Sequence, residues 1–135
     1  MTRRMAAATM VAVAAAFGMV TAAAAADEPK VTPLMARDLV GTPGKEATMI
    51  TVEYPPGWSS AEHRHDAQTF VYVLEGSVVM AVRGGKEVTL GPGQTFYESP
   101  DDVHSVARNA SATKPARFLV FMVKEKDKPL STPAR

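Results

Sequence analysis

Along most of this chain, apolar and polar residues alternate with a period of two, and no stretch holds a helical period over three turns. Ala47 to Tyr54 sets Ile50, Val52 and Tyr54 on one face against Met49, Thr51 and Glu53 on the other. That pattern predicts a strand buried on one side. Thr69–Leu74 and Ser77–Arg83 are two further runs flanking a tight bend at Glu75-Gly76. Gly84-Gly85 is a two-residue hairpin signal, because glycine reaches positive φ without steric cost. It is expected to join Ser77–Arg83 to Lys86–Leu90. Gly91-Pro92-Gly93 then turns the chain into Gln94–Glu98, and strands are predicted over His104–Arg108 and Ala116–Lys124. Asn109–Lys114 reads as a polar loop, and Glu125–Arg135, with Pro129 and Pro133, as a frayed tail. Strands and turns at this spacing predict an all-β sandwich or barrel.

The first 26 residues break the pattern. Arg3 and Arg4 precede an uncharged, alanine-dominated run from Met5 to Ala26, which ends in Ala24-Ala25-Ala26 before Asp27. A basic start, an apolar middle and a small-residue end are the layout of a secretory signal peptide. A membrane anchor is the alternative, since such a run could cross about 30 Å of hydrocarbon. Alanine is a poor anchoring residue, however, and Gly18 and Thr21 dilute the run further. The expectation is export to the periplasm or medium, with cleavage after Ala26 and no stable membrane insertion afterwards. Thr2-Arg3-Arg4 carries a hint of twin-arginine export.

Composition narrows the rest. A chain of 135 residues fits one domain, here residues 27–135, whose core needs a compact and preferably closed β-structure. Cysteine is absent, which removes disulfides, thiolate zinc sites and cysteine nucleophiles. A formal net charge of +1 offers no electrostatic footprint for nucleic acid.

The chemistry concentrates in the three histidines, His63, His65 and His104. Two imidazoles two residues apart leave the same face of a strand, where they form a natural pair of metal ligands. A third from another strand would complete a facial set with open positions. Hydrogen-bonded loop histidines are the plainer alternative, and a lone His-x-His does not decide between them.

The surroundings add to this. Gly57-Trp58-Ser59-Ser60-Ala61-Glu62-His63-Arg64-His65, followed by Tyr72-Val73-Leu74-Glu75-Gly76, resembles the first cupin motif. Gly91-Pro92-Gly93-Gln94-Thr95-Phe96, with Pro100, His104 and Asn109 beyond, resembles the second. The resemblance spans Glu46 to Val123. It implies a double-stranded β-helix, the jelly-roll barrel of the cupins, with His63, His65 and His104 aimed at a divalent metal in its mouth.

Two departures from the motifs matter. Four residues after the second histidine, where the family's glutamate ligand is usual, stands Thr69. Asp101 replaces a usual glycine, and Asn109 lies one residue further from His104 than expected, which reads as loop variation. Without a glutamate, three neutral imidazoles leave the ion its full charge, which favours anionic ligands and acidifies bound water. Such a site suits Fe, Zn, Ni or Cu better than Mn. It resembles the three-His iron cupins, the thiol dioxygenases and diketone-cleaving dioxygenases. Glu98, Gln68 and Asp66 are candidates for a fourth ligand, each of which could equally be a solvated polar side chain or an outer partner.

Phe70, Tyr72, Phe96, Tyr97, Phe118 and Phe121 fall on predicted strands, and those facing inward would line an apolar pocket. Trp58 is placed to cover that pocket or cap the fold, while alternation turns Arg64 outward. Three functions fit: a metal-dependent enzyme on a small organic molecule, an oxygenase among them; a non-catalytic small-ligand binder; and a protein whose metal is structural or absent. Exposed edge strands further predict a homodimer.

Overall fold

Ten β-strands build the protein in the computed structural model, which describes residues 27–135. The expected signal segment, 1–26, lies outside the described residues. The strands are β1 (Lys30–Asp38), β2 (Lys45–Tyr54), β3 (His63–Arg64), β4 (Ala67–Glu75) and β5 (Val78–Val82), then β6 (Val88–Leu90), β7 (Thr95–Glu98), β8 (His104–Asn109), β9 (Ala116–Glu125) and β10 (Thr132–Pro133). They form two five-stranded sheets, ordered β1-β2-β9-β4-β7 and β10-β3-β8-β5-β6, with every pairing antiparallel.

The all-β expectation is met, but the closed jelly-roll barrel is corrected. Among the described residues, no ladder joins one sheet to the other, so each keeps two edges, β1 and β7 in the first and β10 and β6 in the second. What unites the sheets is packing rather than hydrogen bonds. Val52, Val71, Phe118 and Val120 from the first sheet meet Val78, Met80, Leu90 and Ala107 from the second in one buried cluster. This is sandwich packing, in which the inward members of each alternating run interdigitate.

The alternation read from sequence dictates these faces. On β9, Ala116, Phe118, Val120, Met122 and Lys124 are all buried, and the residues between them are less so. β9 is central because it pairs with β2 from Lys45↔Glu125 to Tyr54↔Ala116 and with β4 on its other side. Gly76 is fixed by crowding, since a Cβ there would lie 2.5 Å from the Pro115 carbonyl oxygen. β5 and β6 do pair as a hairpin, yet the connection is longer than Gly84-Gly85, because the ladder stops at Met80↔Val88. The sequence reading missed β1 and β10. The tail expected to fray instead pairs Thr132 with Arg64 and Pro133 with His63.

Candidate metal centre

The second sheet brings the histidines together by register. His63 on β3 lies directly across from His104 on β8. His65 is just past the end of β3, before Asp66 in the left-handed region at φ 51°. The rings nonetheless converge: one nitrogen from each histidine lies within 4.8 Å of those of the other two.

Hydrogen bonding decides which nitrogens are free. His63 Nδ1 lies 2.9 Å from the Ala61 carbonyl oxygen, and His65 Nδ1 lies 2.7 Å from that of Leu130. A carbonyl only accepts, so both Nδ1 atoms carry the proton and both Nε2 atoms are bare lone pairs. Those two lone pairs face each other at 3.2 Å. Neutral acceptors so close repel unless a cation lies between them. Two nitrogens bound to a tetrahedral ion at ~2.0–2.1 Å would be about 3.3 Å apart.

His104 supplies the second sign. It is buried, and neither ring nitrogen has a hydrogen-bond partner. Phe96 stacks near its ring, at 5.8 Å between centroids. Burial, with His63 and His65 beside it, pushes the pKa of His104 down to about 3, so the ring stays neutral. Burial also lowers that of His65.

Glu98 joins the cluster. It is only 2% exposed, and its Oε2, which has no hydrogen-bond donor, lies 3.3 Å from His104 Nδ1 and 3.7 Å from His65 Nε2. Desolvation, with Asp102 nearby, raises its pKa to about 7. β7 places it opposite Thr69 of β4, as a register pair. Thr69 itself is buried, and its hydroxyl donates to the Ala67 carbonyl at 3.3 Å. A carboxylate thus lies one strand across from Thr69, beside the three imidazoles. Three neutral imidazoles, one carboxylate and orphaned buried acceptors together form a donor set that fits a divalent transition metal.

Gln68 does not join it. Gln68 is on the outward face of β4, where its Oε1 accepts from the Tyr97 hydroxyl. Asp66 is exposed. Arg64 turns away as expected and donates to the Asp101 carbonyl at 2.8 Å. Arg83, Arg108 and Arg117 are tied to Glu62, Glu87 and Glu75. Asn109 is structural: its Nδ2 donates to the carbonyls of Tyr54, Pro55 and Lys114, and its Oδ1 accepts from Ser111 N.

A cavity of about 430 Å³ opens beside the imidazoles between the two sheets. Ile50, Val52, Phe118, Val120, Met122 and Leu130 are among its walls, with Tyr54 and Trp58 4.4 Å apart between ring centroids. Burial raises the pKa of Tyr54 well above the usual phenol range. Most of the expected aromatics point elsewhere. Phe70, Tyr72 and Tyr97 are exposed on the outer face of the first sheet, where Phe70 also packs near Phe121. Sequence reasoning missed the Leu130 carbonyl, because a backbone acceptor in an apparent tail leaves no side-chain signal.

This two-sheet fold and its His-x-His…His centre are those of a cupin. The chain belongs to the cupin domain family, which it matches over residues 50–122. Among solved structures it is similar to the DMSP lyase DddQ from Ruegeria pomeroyi DSS-3, with a TM-score of 0.57 and 20% identity, covering 65% of this chain and 43% of that one. It thus spans less than half the length of that lyase. An oxalate oxidase in complex with glycolate has a TM-score of 0.58 and 22% identity, covering 78% of this chain and 54% of that one. TT1209 from Thermus thermophilus has a TM-score of 0.54 and 28% identity, covering 72% of this chain and 84% of that one. No curated protein sequence matches the chain. Among the described residues, no helix is long and apolar enough to cross a membrane.

Proposed function

We propose that this chain is an exported, metal-dependent cupin that binds a small organic molecule beside a centre held by His63, His65, His104 and Glu98, and oxygenates it. The observation that carries the metal is the pair of His63 and His65 lone pairs facing each other at 3.2 Å. The imidazole-rich set favours Fe, Zn, Ni or Cu, with Mn the poorer fit. A divalent ion there supplies Lewis acidity and, where it is iron, electrons for reaction with O₂. The protein does the remaining work. Carbonyls of Ala61 and Leu130 hold two rings in the ligating tautomer. Phe96 packs against His104, apolar walls line the cavity, and Glu98 Oε2 offers the set its one anionic oxygen. The likeness to an oxalate oxidase and a DMSP lyase supports small-molecule chemistry.

Elemental analysis of the purified protein, followed by oxygen uptake with candidate substrates, tests this reading. His63→Ala, His65→Ala and His104→Ala should each strip the metal, and retention of full metal content by all three would overturn the centre. Metal retained without oxygen uptake on any substrate would favour a non-catalytic binder. Intact mass of the exported protein should correspond to a start at Asp27. Pairing through β1, whose nine residues are all exposed and include Val31, Leu34 and Met35, should make the protein sediment as a homodimer.

A further inference from the structure

The chemistry of the cavity wall restricts what the centre can accept. None of the described residues lining the cavity is Lys or Arg. Its acids are Glu98, at the imidazole end, and Glu62, an exposed residue tied to Arg83 at 2.6 Å. Arg83 is thereby occupied outside the cavity. The remaining walls are largely aliphatic and aromatic, so any charge brought in by a ligand has to be balanced at the imidazole end or not at all.

Resting on the centre proposed above, the charge count is short. A divalent ion with one carboxylate and three neutral imidazoles carries one net positive charge. A ligand headgroup with one negative oxygen brings that to zero inside apolar walls. A second negative charge would be left buried without a counter-charge, which is costly. A ligand with no donor atom would leave the open positions to water, and an oxygen donor suits the imidazole–carboxylate set better than a soft sulfur.

We propose that the cavity takes a small, largely apolar molecule bearing a single oxygen headgroup of at most one negative charge, and excludes dicarboxylates. The headgroup goes to the imidazole end, and the hydrocarbon or aromatic body lies along Ile50, Val52, Phe118 and Val120. A weakly acidic hydroxyl, as in a phenol or enol, and a monocarboxylate share this chemistry.

Calorimetric titration of the zinc-loaded full chain with para-propylphenol, para-propylbenzoate and terephthalate tests the proposal. Zinc content is measured on the same samples. The chain has one tryptophan, Trp58, and it lines the cavity, so its emission reports whether a ligand binds there. At least one monofunctional probe should bind and shift Trp58 emission, with terephthalate at least about tenfold weaker. The tighter of the phenol and the benzoate identifies the headgroup source. Ser131→Arg places a cation on the cavity wall without touching a ligand residue. It should narrow the gap against terephthalate while zinc content stays the same. With zinc retained, equal or tighter binding of terephthalate, or binding heat without a Trp58 response, overturns the ligand class alone. Failure of both monofunctional probes does the same. Zinc lost on gel filtration overturns the centre, and the headgroup rule falls with it.

Discussion

Ending the chain at Lys128 isolates the part that the C-terminal segment plays in the centre. Lys124 Nζ is 2.7 Å from the Lys128 carbonyl and 2.6 Å from Glu46, so that anchor survives the truncation. What goes is Pro129–Arg135, including β10 and the Leu130 carbonyl that accepts from His65 Nδ1 at 2.7 Å. Loss of an outer partner of a ligating histidine typically costs 10- to 100-fold in metal affinity, or about 1.4–2.7 kcal/mol. The fold should lose a comparable amount. Leu130 is only partly buried against the core, which is worth about 1 kcal/mol, and the hydrogen bond contributes about 1 kcal/mol more. Chelator competition for zinc reads the first quantity and thermal melting the second. Leu130→Ala is the control, because it keeps the carbonyl while removing the side chain. It should melt lower yet bind zinc within about twofold of the parent, since the carbonyl to which outer-partner losses attach is retained. Unchanged zinc affinity in the truncated chain, or an equal loss in Leu130→Ala, would refute the reasoning.

The carboxylate can be moved across its register pair. Glu98→Thr should weaken divalent metal binding, and adding Thr69→Glu to it should restore much of the loss; chelator competition on the single and double variants decides, and no rescue means that Glu98 is not interchangeable with the position opposite. Acid stability of the metal-free protein should follow the buried imidazoles. Because the pKa of His104 is held down to about 3, the unfolded state binds more protons below about pH 6.5, and stability falls as pH drops through that window. Glu98, raised to about 7, acts in the opposite sense between about pH 4.3 and 7, so the decline in urea-melt stability should be steepest below about pH 4. Asn109→Ala, which strands three carbonyls and the Ser111 N–H, should cost about 2–4 kcal/mol in the same melts while leaving the metal content of the folded fraction intact.

Side-chain alternation made the sheets legible, because burial on one face writes itself into β2, β4 and β9 as a period of two. β1 escaped because all nine of its residues are exposed, so no buried face imposes a pattern. β10 escaped because two residues cannot carry a period, and their pairing with β3 is dictated by a partner more than sixty positions away. The open sheets were hidden for a related reason. Alternation reports which face of a strand is buried, but whether edge strands pair is decided by connection lengths and by how far each sheet twists. At the site, the His-x-His spacing offered His63 and His65 as a pair, and the motif resemblance joined His104 to them. Glu98 emerged only as one of several polar side chains near them, since its inward aim depends on β7 register. Gln68 sits beside Thr69 in sequence, and alternation sends it to the opposite face.

Thr69 and Glu98 illustrate how a carboxylate absent from a motif position can sit across a register pair from it. Directly paired residues on antiparallel strands have Cβ atoms about 5 Å apart and point to the same face. A carboxylate on either can reach the same few ångströms of space. In the proposed centre, a carboxylate on β7 in place of β4 would keep the charge and change only the backbone that carries it. It also changes what surrounds the acid: Glu98's own burial, with Asp102 nearby, raises its pKa to about 7, whereas a cation beside it would draw the proton off. The tail acts on the same ring set from the other side, since Leu130 orients His65, whose Nε2 lies 3.7 Å from Glu98. The proposed centre thus draws on β3 and the residue after it, β7, β8 and a segment outside the matched family region. A local motif anchors it, and long-range register completes it.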